Sequence, residues 1–385
     1  MRRLLLLASA CVFFDVAFFA AIAPLLPEYV DQLGLSKAQA GVLSASYAAG
    51  TLLAALPAGL VASRVGPKRS VISGLLLLGV ASVIFGFAEE IFVLDSARFV
   101  QGIAGALIWS GAMSWLIMAA PDDSRGSVIG TALGTAVAGA LLGPALGAIA
   151  ASIGTEVVFG SVLVLTSILS LIASRLPEAG VPERQGLAAV RAALLSRPVL
   201  DATAFVAVPS VMFGAIEVLV PLRIDALGGG HGVIAAGFIG GAALEAMLAP
   251  LSGRLSDRVG RRAPYVIGLT ICALAMVVVG TAELLGVVLT ALIVTSLGAG
   301  LCFAPALTLL SDVAEATSLH QGMAAGVSNM AWASGQVIGG IGGGVVASFA
   351  GNAVPSVAIS ILLLATSAYA FRVLERGGPL RLAEG

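Results

Sequence analysis

Twelve stretches, each about as long as a membrane-crossing helix and mostly apolar, run through this chain, and no other feature restricts its fold as strongly. They fall near residues 4–27, 38–62, 70–88, 91–119, 126–151 and 157–174, then 199–222, 232–254, 263–282, 286–310, 322–349 and 354–373. A helix needs roughly 20 apolar residues to cross a bilayer. Lipid offers the backbone no hydrogen-bond partners, and these runs are too long for barrel strands, so each is expected to be a helix. Composition agrees: 59% of residues are hydrophobic and 11% charged, where a soluble domain carries roughly 25% charge. The mean hydropathy is +1.06. The opening MRRLLLLASACVFF imitates a secretory signal. A signal's apolar core is roughly 7–15 residues, whereas this run continues to Leu26, interrupted by Asp15, so it reads as the first span.

Orientation follows from lysine and arginine, which collect on the cytoplasmic side of membrane proteins. With both termini inside, 17 of the 20 basic residues are cytoplasmic. Lys37 and Arg223 fall outside, and Arg98 lies within the membrane. The expected location is therefore the cell (inner) membrane, multi-pass, with cytoplasmic termini. The long polar connection is Arg175 to Pro198, whose segment GLAAVRAALLSR fits a short surface helix. It divides the chain into a six-helix half at 1–174, a linker at 175–198 and a second six-helix half at 199–385.

The halves repeat. Gly59-Leu-Val-Ala-Ser63-Arg64-Val-Gly66 recurs as Gly253-Arg-Leu-Ser-Asp257-Arg258-Val-Gly260, 194 positions later. The fifth span carries Gly130, Gly139, Gly143-Pro144 and Gly147, and the eleventh carries Gly326, Gly335, Gly339-Gly340 and Gly343, offset by 196. Two patterns at nearly one offset imply an internal duplication. Each half has six helices, so the repeats share one orientation about an axis along the membrane normal. Transporters built this way hold substrate near the midplane and alternate access by rocking.

On these residues the chain resembles the major facilitator superfamily over nearly its whole length. Gly253 to Arg262 is similar to that family's cytoplasmic loop signature, with Ser63 standing where the first copy usually has aspartate. The fifth-span ladder and Arg98-x-x-Gln101-Gly102-x-x-Gly105 resemble signatures of the drug/proton antiporter branch. Asp15 with Pro24 and Pro27, and Glu217 with Pro221, are similar to vesicular amine carriers and bacterial multidrug efflux relatives. The resemblance implies an all-α membrane protein with twelve transmembrane helices in two halves related by pseudo-two-fold symmetry.

Candidate functional residues follow from chemistry and depth. A carboxylate mid-membrane costs roughly 2.5–3.5 kcal/mol on insertion scales, so Asp15 in the first span marks a substrate or proton site. Glu217, in the outer part of the seventh span, and Glu245, in the eighth, are candidates of the same kind. Burial favours a neutral acid and a nearby cation favours the ionised one, so a dry empty site holds a proton that a cationic cargo displaces. Arg98 needs an acceptor, which Gln101 one turn on or an acid across the bundle supplies; the resemblance assigns the pair to proton coupling. Gly139, Gly143, Pro144 and Gly147 form a flat stripe with a bend, expected to gate by sealing against a helix of the other half. Asp257 and Arg258 are expected to latch the second-half loop, more strongly than Ser63 does in the first. Phe14, Phe18, Tyr47, Trp109, Phe213, Phe303 and Trp332 are candidate cavity aromatics that suit organic cations.

Other classes find little support. Net charge is −1, without the basic footprint of a nucleic-acid binder. Cys11, Cys272 and Cys302 lack paired spacing, and His231 and His320 fall in predicted loops on opposite sides, so neither a disulfide framework nor a metal site is expected. The GGIGGG run at 339–344 lies in an apolar helix, without the strand-turn-helix setting of a nucleotide site. No cofactor is expected, no enzymatic constellation is visible, and energy must come from an ion gradient. The expectation is a monomeric proton-coupled antiporter that exports lipophilic, cationic small molecules across the lipid bilayer. An exporter of neutral metabolites such as sugars or nucleosides is the alternative, and a non-transport membrane sensor the remote one.

Overall fold

A computed structural model describes residues 2–121, 125–178, 187–317, 319 and 321–374. Among them every regular element is a helix: α1 (Arg2–Ala20), α2 (Ile22–Leu33), α3 (Lys37–Val65), α4 (Pro67–Gly86), α5 (Ile91–Ala119), α6 (Arg125–Ile153) and α7 (Thr155–Arg175), then α8 (Leu187–Leu194), α9 (Arg197–Ala226), α10 (His231–Val259), α11 (Arg262–Thr281), α12 (Leu285–Ala316), α13 (Gln321–Ala350) and α14 (Ala353–Val373). Twelve spans among the described residues are long and apolar enough to cross a membrane, α1 and α2 together forming the first. His231 opens α10 rather than lying in a loop, and His320 is outside the described residues.

The first span is broken where the sequence reading ran it through. Ala21 forms a turn between α1 and α2. Pro24 explains it, because proline has no amide hydrogen to bond the Ala20 carbonyl and its ring crowds that group. The repeated loop motif has an equally local cause. Its glycines, Gly66 and Gly260, have φ of +97° and +81°. A side chain is strained in that region, so the turns from α3 to α4 and from α10 to α11 require glycine.

The described chain falls into two compact units. The first contains Met1–Gly34, Leu43–Arg184 and Gln321–Met330; the second contains Leu35–Val42, Gln185–His320 and Ala331–Gly385. In the first, α4 packs along α5 and α7, and α1 along α6. In the second, α11 packs along α12 and α14, and α12 along α10 and α9.

Glycine sets the closest approaches. A Cβ on Gly139 or Gly143 of α6 would overlap or crowd the α1 backbone at Phe13 and Ala17, and one on Gly147 the turn at Ala21. The expectation that this ladder faces a helix of the other half is thereby corrected: its partner is α1, in the same unit. The matching glycines of α13, Gly335 and Gly339, press on α9 at Ala207, Ser210 and Val211 in the same way. The sequence repeat is thus also a packing repeat, in which a glycine stripe seats the fifth helix of each set against the first. Gly130 has nothing near it and only continues the pattern.

Candidate functional site

In the first unit, α1 carries Asp15 to a position 1% exposed. Its carboxylate accepts hydrogen bonds from the Tyr47 hydroxyl, 2.9 Å from each oxygen, and from the Trp109 indole N–H at 3.0 Å. These donors come from α3 and α5, whose crossing is built from small residues. A Cβ on Gly50 would overlap the Phe99 carbonyl, and one on Gly102 the Tyr47 carbonyl. Thr51 pins the crossing, its hydroxyl 3.1 Å from the carbonyls of Tyr47 and Gly102. Gly105 leaves room for the pair itself, since a Cβ there would overlap the Tyr47 hydroxyl and stand 3.0 Å from Asp15 Oδ1.

Arg98 is also 1% exposed. It donates to the carbonyls of Phe18 at 3.3 Å and Phe19 at 3.1 Å, and to Gln101 Oε1 at 3.2 Å. The break at Ala21 makes this possible. The last carbonyls of a helix lack intrahelical partners and carry its negative dipole end, and Arg98 sits on those of α1. Its guanidinium lies 5.2 Å from the centre of the Tyr47 ring, whose hydroxyl holds Asp15. Gln101 in turn donates to Ser82 of α4 at 3.1 Å. One tyrosine therefore touches both the buried acid and the buried base, and four helices of the unit meet around it.

Asp15, Trp109, Arg98 and Gln101 are thus brought together. Phe18 is not a cavity residue: it is 5% exposed and its ring is 6.0 Å from that of Phe159, so it packs the interior of the unit. Tyr47, one of the candidate cavity aromatics, is the central hydrogen-bond partner of Asp15. A sequence signal existed, because it is the one large side chain in the small-residue run Ser44-Ala-Ser-Tyr47-Ala-Ala-Gly50-Thr51.

The second unit is arranged differently. Glu217 on α9 is half-buried, with Pro221 one turn on. Glu245 on α10 is half-buried beside Gly300 of α12, where a Cβ would stand 3.4 Å from its carbonyl oxygen. Phe213 meets Phe303 edge-on at 5.3 Å, and Trp332 is half-buried on α13. The side chain of Asp257 is outside the described residues. Arg258 is exposed, and among the described residues this loop pairs Arg261 with Asp312 of α12. In the first unit the comparable loop contributes Arg69, 3.7 Å from Glu178 with both side chains well exposed.

A family model described as Major Facilitator Superfamily matches residues 5–339 and 235–384. Among curated proteins, the MFS-type transporter ppzB of Metarhizium majus is 28% identical over 126 residues, 31% of this chain and 27% of that protein. The quinolone resistance protein NorA of Staphylococcus aureus is 25% identical over 109 residues, 28% of each chain. The matched region thus spans about a quarter of the length of these relatives. Solved structures agree in fold. A D-xylose-proton symporter gives a TM-score of 0.76 at 16% identity, covering 98% of both chains. A bacterial homologue of the human lysosomal transporter Spinster, inward-facing and occupied, gives 0.77 at 16% identity, covering 96% of this chain and 95% of that one.

Proposed function

The chain belongs to the Major Facilitator Superfamily, and within that family of membrane transporters we propose that it exports lipophilic, cationic small molecules in exchange for protons by alternating access. The observation that supports this most is Asp15: a carboxyl group deep in the first unit, held by two neutral donors while the nearby Arg98 is engaged on carbonyls and an amide. An ionisable group at such depth is a functional candidate by default. Its hydrogen bonds orient it without supplying the opposite charge in direct contact. Either a proton or a cationic cargo then completes its neutralisation, and one displaces the other.

Tyr47 is the coupling element in this reading. It holds Asp15 through its hydroxyl and faces Arg98 through its ring, so loss of the negative charge at Asp15 alters a contact that Arg98 also makes. The glycine stripe of α6, including Gly143 beside Pro144, lets α1 shift with the protonation of Asp15, since the two helices meet through backbone rather than interlocked side chains. The likeness to NorA, a protein named for quinolone resistance, supports a multidrug direction. Cytoplasmic termini, export as the direction, and division into halves at the 175–198 linker belong to the same proposal.

Purified protein in proteoliposomes, given an imposed pH gradient and a panel of organic cations, neutral sugars and nucleosides, and anions, tests it. Gradient-dependent movement of cations, lowered about ten- to a hundredfold in Asp15→Asn, is expected. Gradient-dependent movement of a neutral compound alone would replace the cation reading with the metabolite one.

A further inference from the structure

Gln336 has a place in the second unit that packing does not explain. It lies on α13 between the two glycines, Gly335 and Gly339, that press this helix on α9. A Cβ on Gly214 of α9 would meet the Gln336 backbone, so these two turns are in direct contact. Glu217 is one turn along α9 from Gly214, and Trp332 one turn along α13 from Gln336. Phe213, next to Gly214, is half of the aromatic pair with Phe303. The two helices therefore carry a carboxylate, an amide and aromatic residues within one turn of this contact.

The amide is 4% exposed, and its side-chain oxygen has no hydrogen-bond partner among the described residues. An unmet buried acceptor is costly, and an apolar residue of the same shape would pack at least as well. Gln101 on α5, by contrast, bonds both Arg98 and Ser82. A buried oxygen left open one turn from the position that carries Glu217 fits a donor that arrives with the cargo.

We propose that Gln336 selects cations bearing an N–H, its side-chain oxygen accepting a hydrogen bond from a protonated amine held near Glu217. This rests on the reading that the cargo is a cation, and it narrows that class. A protonated tertiary amine supplies one charged donor. A quaternary ammonium ion of the same charge and greasiness supplies none and leaves the oxygen unmet. A site built to bond an N–H rejects the analogue lacking it more strongly than size alone would.

The test is equilibrium binding to the purified full chain in detergent, with an aryl-alkyl dimethylamine and its N-methyl quaternary salt as probes. Wild type binds the protonated amine more tightly than the quaternary ion. Gln336→Met, close in shape but without the acceptor, weakens amine binding about tenfold, as expected for one hydrogen bond to a charged group, and leaves the quaternary ion unchanged. Gln336→Glu, which keeps an acceptor, restores the preference. The ratio of affinities within each protein is the readout, so differences in folded fraction cancel. If Gln336→Met weakens both probes equally, or wild type does not distinguish them, Gln336 is a packing residue and this inference fails while cation export stands. If wild type binds neither cation, the cation reading fails and takes this inference with it.

Discussion

The polar interiors of the two units contrast. In the first, Asp15, Tyr47, Trp109, Arg98, Gln101 and Ser82 are joined by short hydrogen bonds, and the acid and the base at its centre are almost wholly buried. In the second, Glu217 and Glu245 are half-buried and Gln336 holds an open oxygen. In the proposed reading, the hydrogen-bonded network around Asp15 holds the proton at one place. The open oxygen of Gln336 suits, in the same reading, a cargo that completes it. The glycine seams thus recur in both units while their polar contents differ.

The sharpest way to break this contrast is to neutralise one acid in each unit. Asp15→Asn is expected to lower gradient-driven uptake about ten- to a hundredfold, the equivalent of ~1.5–3 kcal/mol for a hydrogen-bonded charged group. Glu245→Gln is expected to lower it less, because that acid is only half-buried. A larger loss from Glu245→Gln would move the proton-carrying role to the second unit.

Packing comes next. The units should respond alike at their seams, with Gly102→Ala and Gly339→Ala each destabilising by about 1–3 kcal/mol, since an added methyl meets fixed backbone at Tyr47 and Val211. Gly130→Ala and Gly342→Ala, with nothing near the added carbon, should stay within about 0.5 kcal/mol. Thermal unfolding of the four variants in detergent separates the pairs, and equal midpoints would dissolve the seam assignment.

Smaller again is Trp109→Phe, which removes one of the hydrogen bonds to Asp15. A loss of about 1 kcal/mol, roughly fivefold in uptake, is expected, and Tyr47→Phe should cost more because that hydroxyl contacts both oxygens. Equal effects of the two variants would remove Tyr47 from its central place.

The smallest effect concerns the loops. Arg261 and Asp312 have side chains 25% and 45% exposed, and a double-mutant cycle in thermal stability should give a coupling of about 0.2–1 kcal/mol that fades with salt. The Arg69–Glu178 pair, at 69% and 58%, should give none that is measurable. Equal couplings would erase the expected asymmetry between the loops.

Much of this was legible without coordinates. Span number follows from hydropathy, a property of each segment by itself, and the duplication follows from residue spacing. The presence of Asp15 and Arg98 within apolar runs is a composition fact of those runs, and Gln101 as an acceptor follows from its position one turn from Arg98 on the same helix. What the sequence by itself could not decide is which helix meets which. Hydropathy and periodicity say that a face is small or polar and do not name its partner. The α6 ladder therefore faced the wrong helix on paper, and only the packed chain put α1 against it. Tyr47 became the central partner of Asp15 because Gly50 and Gly102 let α3 and α5 cross within backbone contact, and Arg98 found its carbonyls because Pro24 ends α1 at Ala20. Ser82 and Asp312 entered for the same reason, as neighbours made by the crossing of helices distant in sequence. The opening acid thus remains where the chain placed it, in the middle of the first span; its surroundings are a product of tertiary structure, because hydrogen bonds are settled over a few ångströms and sequence order does not measure that distance.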